Sequence, residues 1–341
     1  MQRTTVMLLF GGESSEHAVS ISSARNVFAA LDDTKYDVVL GYIDKEGQWW
    51  LLDNMSDNID TAGLPQLLPV LGTGSFTTMP NVETVKPDVI LPILHGVNCE
   101  DGLIQGLMGL AHIPIVGSGV EASAVCMDKV TTKQILEYNE IKTSPYDVHL
   151  VGEPFSSFHQ LSDKLGTPLF IKPANEGSSV GVSKASNDEE LSAALTDAHK
   201  YDKKVLIEKT IKGRELEVGV LGSGTNVRVS GVGEIIPDRD FYDYDSKYDT
   251  ASQTKVILPA DLPPEISEKI RSITKKAYSV LGCRGLARID FLLSEDNEIY
   301  LNEVNTLPGF TNISMYPKLW RQEGMTYSSL IDVLISDALE K

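Results

Sequence analysis

Three cysteines, Cys99, Cys126 and Cys283, lie far apart in 341 residues, and none forms a CxxC pair. An odd number at that spacing argues against a disulfide framework or a cysteine zinc site, and fits a reducing compartment. Long apolar runs are missing as well. No stretch approaches the roughly 20 residues that a membrane helix needs. The opening MQRTTVMLLFGGESSEH holds about six apolar residues before Gly11-Gly12, too few for a signal-peptide core, and reads as a buried strand. Positive charge is scarce. Thirty Lys and Arg face 48 Asp and Glu, a net −18, which disfavours non-specific attraction to a nucleic-acid duplex or an anionic membrane. The expectation is a cytoplasmic protein with no nucleic-acid and no membrane partner. The phosphate-loop pattern GxxxxGK[ST] and the dinucleotide pattern GxGxxG are also absent.

What is present is ordinary globular material, 42% hydrophobic and 23% charged. Its length implies two or three domains. In the first third, strands (TTVMLLF, YDVVLGYID, PDVILPIL) alternate with helices (SISSARNVFAALD, EDGLIQGLMGLA). Such alternation predicts a parallel sheet covered on both faces. Ligand loops then belong at the carboxyl ends of the strands, here GGESSEH and HGVNCED. SGVEASAVCMDKVTTKQILEYNEI reads as one helix leading to a second region. Residues 145–220 are strand-rich around one helix, DEELSAALTDAHK. Further on come strands, a polar aromatic stretch at 236–254, the helix PPEISEKIRSITKKAYSVLG, and the strands LARIDFLL and NEIYLNEVN. The fold class expected is α/β and α+β, with boundaries at 1–121, 122–212 and 213–341.

Five constellations carry chemistry. Asp290, Glu303 and Asn305 each interrupt an apolar strand, where a lone charge is costly. Glu303 and Asn305 are two apart and share a face. The joining SEDNE reads as a hairpin turn, so the strands are expected side by side. They form either the wet face of an edge strand or a hard-oxygen set suited to Mg²⁺. PLFIKPANEGSSVGVSKA delivers Lys172 and then a Gly/Ser loop, with Ser178 and Ser179, that would let backbone N–H groups approach phosphate. An ordinary hairpin loop is the alternative. Glu208 ends an apolar strand and Glu215 follows Gly213; they read as acceptors for adenine and ribose, or as solvated acids. The 236–254 stretch, with Lys247 and Tyr248, reads as a lid or a mobile loop. His95 follows a strand end, at the ligand edge of the expected sheet.

In order and spacing, GGESSEHAVSISSA, HGVNCEDGLIQG, MDK, IKPANEGSSVGVSK, FYDYDSKY, ARIDF and LNEVNTLPGFT closely resemble D-alanine–D-alanine ligases of the ATP-grasp superfamily. The resemblance runs from residue 6 to about 320. It implies an N-terminal preATP-grasp, Rossmann-like domain followed by a two-part ATP-grasp fold. It also implies ATP and two Mg²⁺ or Mn²⁺ ions as cofactors, D-alanine as substrate, a homodimer, and the reaction of peptidoglycan precursor synthesis through an acyl phosphate. It further implies roles for single residues. Glu16 holds the first ammonium, with Ser178 and Tyr248 linking it to the lid. His95 lies near the first carboxylate. Lys129, Lys172 and Lys247 meet the ATP phosphates, beside Ser178 and Ser179, and Glu208 and Glu215 meet adenine and ribose. Asp290, Glu303 and Asn305 ligate the metals. Arg288 and the Gly309 N–H stabilise the oxyanion, and Ser314 with Met315 takes the second carboxylate. Tyr248 favours the dipeptide product over one made with D-lactate or D-serine. His17 departs from the arginine that many members carry there.

Overall fold

A computed structural model describes residues 3–56, 58–154, 156–236 and 254–340. Its architecture begins with one apolar run. The side chains of residues 6–10, VMLLF, are wholly buried, as a strand covered on both faces requires. They belong to β1 (Thr4–Gly11), which pairs in parallel with β2 (Tyr36–Ile43) and β7 (Val89–Leu94). Helix α1 (His17–Ala30) makes the β1–β2 crossover. The parallel part stops at three strands. β3 (Trp49–Leu52), β4 (Gln66–Val70), β5 (Ser75–Met79) and β6 (Thr84–Val85) continue it as an antiparallel meander, in the order β6-β5-β4-β3-β2-β1-β7. α2 (Leu103–Ala111) follows β7.

The stretch expected as one helix is two, α3 (Val120–Met127) and α4 (Lys129–Tyr138). Asp128 divides them. Its backbone is extended, and its carboxylate accepts the N–H of Val130 at 3.0 Å and of Thr131 at 3.1 Å. It therefore starts a new helix instead of continuing the old one.

The second sheet, β10-β9-β11-β8, is antiparallel and comprises β8 (Tyr146–Leu150), β9 (Leu169–Pro173), β10 (Ser183–Ala185) and β11 (Lys204–Lys209). Two helices cover it where one was expected: α5 (Phe158–Leu165) and α6 (Asp188–Ala198). Their leucines pack on Leu169, Ile171, Val205 and Ile207.

The third sheet, also antiparallel, has the order β14-β13-β12-β15-β16: β12 (Gly213–Leu221), β13 (Arg228–Ile236), β14 (Lys255–Ile257), β15 (Leu286–Ser294) and β16 (Ile299–Asn305). One face buries Leu216, Val218, Val220, Ile289 and Phe291 in the same core as Ile270, Ala277 and Tyr278 of α7 (Pro264–Val280). Strand residues alternate faces, so Glu215, Glu217, Arg288 and Asp290 emerge on the other.

The chain closes on its own beginning. After α8 (Met315–Gln322) comes α9 (Tyr327–Leu339). Its Leu330, Ile331, Leu334 and Ile335 join the core of Val6, Leu8, Phe10 and Val27. Asp332 on its outer side accepts from Lys35 Nζ at 2.7 Å and from the Tyr36 hydroxyl at 2.8 Å. Among the described residues no helix is long and apolar enough to cross a membrane.

Candidate active site

A cavity of about 640 Å³ is walled by the second and third sheets and by the loops after β1 and β7. That size falls in the usual range for a small-ligand site. Every expected site residue among those described lines it: Glu16, His95, Lys129, Lys172, Ser178, Ser179, Glu208, Glu215, Arg288, Asp290, Glu303, Asn305, Gly309, Ser314 and Met315. Lys247 and Tyr248 lie outside the described residues, as does nearly all of the 236–254 stretch.

Glu16 stands just before α1. A side-chain carbon at Gly96 would lie 3.5 Å from its Oε2, and one at Gly177 3.4 Å. The loop after β7 and the Gly/Ser loop therefore both come up against this carboxylate. Ser178 and Ser179 hold φ of 48° and 61°, a left-handed conformation uncommon for residues with a Cβ and usually held by its surroundings. Lys129, first in α4, crosses to the same loop and donates to the Glu176 carbonyl at 2.5 Å. His95 is buried, with Nδ1 3.1 Å from the Leu307 carbonyl and 3.7 Å from Glu100 Oε1. A carbonyl can only accept, so Nδ1 carries the hydrogen there. Among the described residues Nε2 has no hydrogen-bond partner, and it belongs to a residue of the cavity wall. Burial works against an imidazolium at His95, but the Glu100 and Glu16 carboxylates raise its pKa overall. His17 points elsewhere, contacting the Gly12 carbonyl at 2.5 Å and the Tyr42 hydroxyl at 3.1 Å.

Lys172 and Glu208 are one unit. Glu208 takes Lys172 Nζ on Oε2 and Lys133 Nζ on Oε1, each at 2.6 Å, and the Ser144 hydroxyl at 2.7 Å. All three charged groups are buried. Burial alone pushes the Glu208 carboxyl up, but Lys172 and Lys133 outweigh it and hold the group at about 2. Lys133 goes down as well, because burial and the neighbouring Lys172 exceed its share of one carboxylate. Two cations on one buried acid leave the wall in excess of positive charge, the sign a triphosphate seeks. Lys133 was not legible in the sequence as a site residue. It sits four residues past Lys129 in an unremarkable helical pattern.

The oxygen set lies on the opposite wall. Asp290 pairs in register with Glu303, and Arg288 with Asn305, so the hairpin places all four on one face. Arg288 grips Asp290 with Nε to Oδ1 at 2.8 Å and Nη2 to Oδ2 at 2.7 Å, while Asn305 Nδ2 donates to Asp290 Oδ2 at 3.0 Å. The Asn305 amide spends its N–H on Asp290, which leaves its oxygen as the acceptor end. Among the described residues no three His, Cys, Asp or Glu side chains come together as a metal site. The set that fits is mixed, two carboxylates and a carboxamide, the hard-oxygen chemistry of Mg²⁺. Burial disfavours the Arg288 charge, yet Asp290 and Glu217 overcome this and raise its pKa. Glu217 and Lys318 also line the cavity and were not singled out from the sequence. Gly309 lies so close to Ser314 Oγ that a Cβ there would sit 2.8 Å from it. Ser314 in turn accepts the Thr311 N–H at 3.0 Å.

Two family models account for nearly the whole chain, "D-ala D-ala ligase N-terminus" over residues 5–118 and "D-ala D-ala ligase C-terminus" over 117–336. The chain belongs to the D-alanine–D-alanine ligase family. The ligase is 45% identical to D-alanine–D-alanine ligase A of Escherichia coli K12 over 356 residues, covering 100% of this chain and 97% of that one. Its counterpart from Chromobacterium violaceum is also 45% identical, over 355 residues and 100% and 96% of the two chains. Among solved structures, the D-alanine-D-alanine ligase of Coxiella burnetii matches with a TM-score of 0.90 at 32% identity, covering 100% and 95% of the chains. The VanG D-Ala:D-Ser ligase of Enterococcus faecalis matches equally, TM-score 0.90 at 33% identity over 99% and 100%.

Proposed function

We infer that this ligase joins two D-alanine molecules into D-alanyl-D-alanine with ATP and Mg²⁺, the precursor dipeptide of peptidoglycan. One D-alanine carboxylate attacks the γ-phosphorus and ADP leaves. The amine of the second D-alanine then attacks the acyl phosphate carbon, and phosphate leaves. The observation that carries this reading is the meeting, in one cavity, of a lysine-rich wall and an oxygen-rich wall.

The division of labour is ours. Asp290, Glu303 and Asn305 would hold the divalent ions, which when bound offset the negative charge of the phosphates. Lys129 and Lys172 draw the phosphate chain to the Gly/Ser loop. Glu208 fixes Lys172 and stands toward the adenine end, with Glu215 for the ribose. Glu16 and Ser178 hold the first ammonium, and His95 Nε2 faces the first carboxylate. Arg288 and the Gly309 N–H receive the developing oxyanion, where fixed donors act more strongly than water. Ser314 and Met315, at the start of α8, take the second carboxylate. Lys247 and Tyr248, which lie outside the described residues, would meet the γ-phosphate and the link to the first substrate. An acyl phosphate hydrolyses readily, so the reaction calls for water to be kept away.

Domain limits at 1–121, 122–212 and 213–341 are supported by each sheet falling inside one range. A cytoplasmic location is supported by three free cysteines. A homodimer is supported by exposed Leu103 and Leu110 on α2 beside exposed Leu71. The likeness to a D-Ala:D-Ser ligase keeps a second acceptor in view. Product analysis with ATP, Mg²⁺ and D-alanine, with D-serine and D-lactate competing, decides. D-alanyl-D-alanine is expected to dominate; a mixed dipeptide or ester as main product would replace this reading with the alternative.

A further inference from the structure

We propose that Glu217 is a positioning residue: it keeps the Arg288 guanidinium in place in the cleft while Asp290 turns its oxygens to a divalent ion. Glu217 lies on β12 directly across from Asp290, which lies directly across from Glu303. Three carboxylates thus cross three neighbouring strands in one row. Like charges so placed repel, and the cation among them is Arg288. Nε of Arg288 carries one hydrogen, and Asp290 Oδ1 accepts it at 2.8 Å. Glu217 Oε2 sits 3.0 Å from the same Nε. It is the acceptor next in reach when Asp290 releases that hydrogen.

The need for a second partner follows from burial. Arg288 and Glu217 side chains are 17% and 10% exposed. A buried guanidinium left without a carboxylate partner is strongly unfavourable. Without Glu217, Arg288 and the metal would compete for Asp290, and one of them would lose its geometry. With Glu217, the metal ligand and the oxyanion donor are served by different acids. Glu217 itself is not assigned to the metal, because the three acids of the row do not gather into a metal-holding group among the described residues. Gly219, the β12 residue opposite Arg288, adds no side chain to compete for the guanidinium.

Resting on the role given above to Arg288, the test compares wild type, Glu217→Gln, Glu217→Asp, Arg288→Lys and the Glu217→Gln/Arg288→Lys double variant. Mn²⁺ affinity is read by electron paramagnetic resonance with ADP present, and kcat at saturating metal with KM for ATP is read alongside. Glu217→Gln should weaken Mn²⁺ about fivefold and lower kcat about tenfold even at saturating metal, with KM for ATP held within about twofold. In the Arg288→Lys background the same change should lower kcat by less than about twofold, because the interaction is already lost. Glu217→Asp keeps the charge and should keep Mn²⁺ affinity within about twofold, and it stands in should the glutamine variant fail to fold. Normal kcat in Glu217→Gln beside an impaired Arg288→Lys overturns this proposal alone. So does a kcat loss that saturating metal fully repairs, or a double variant showing the product of both losses. Normal kcat in Arg288→Lys overturns the role of Arg288 itself.

Discussion

Glu303 and Glu208 show how one residue type does two jobs in one cavity. Glu303 projects from β16 toward the cleft, across from Asp290. Exchange for glutamine keeps its shape and removes its charge. Glu303→Gln is expected to slow phosphate release from ATP and D-alanine by at least about a hundredfold, with Tm within about 4 °C of wild type. Near-normal turnover would take Glu303 out of the metal set. Glu208 is buried between two lysines, and its exchange for glutamine strands both. A loss of about 3–5 kcal/mol in urea unfolding at pH 7 is expected. Its folded pKa lies below the ordinary carboxylate value, so this contribution is complete above the ordinary value and fades as pH falls toward about 2. The gap between wild type and Glu208→Gln should therefore shrink between pH 5 and pH 3; an unchanged gap would refute the ion-pair account. The sequence revealed Glu208 because it stands at the end of an apolar run. It concealed Lys133 and Glu217, since a partner that matters only through a contact across strands or helices leaves no local signature.

At the scale of elements, the Gly/Ser loop between β9 and β10 is held by small residues in unusual backbone. Gly181 has φ +67°, and a Cβ there would meet Tyr201 Cδ2 at 2.8 Å and Pro173 Cγ at 2.9 Å. Gly181→Ala is expected to displace the loop and raise KM for ATP about tenfold, given ~1–2 kcal/mol for a left-handed alanine. An unchanged KM would mean that the loop does not meet the nucleotide. Long elements with strong patterns were legible: β1, β2, β7, α6, α7 and the β15–β16 hairpin stand where periodicity and turn residues put them. Three features were not. The meander β3–β6 is built of strands of two to five residues, too short and too mixed in burial to show alternation. The α3–α4 break rests on one capping carboxylate inside a continuous helical pattern. Helix α5 begins with a Ser157–Gln160 capping box but is a helix of only two turns.

For the molecule as a whole, the decisive contact is between its two ends. Helix α9 contributes Leu330, Ile331, Leu334 and Ile335 to the core beneath β1 and α1. Deleting residues 327–341 should expose that core. Loss of a cooperative thermal transition, with dye binding to apolar surface, is the expected result. A sharp transition at unchanged Tm would show that the first sheet is self-sufficient. Sequence patterning identified neither this partner nor its address, because an amphipathic helix announces that it has a buried face but not which sheet that face meets. The arrangement also has a consequence in time. A ribosome releases β1 well before α9, with on the order of half a minute between them at typical elongation rates. Throughout that interval the nascent N-terminal layer carries an uncovered greasy flank, open to other chains until α9 arrives.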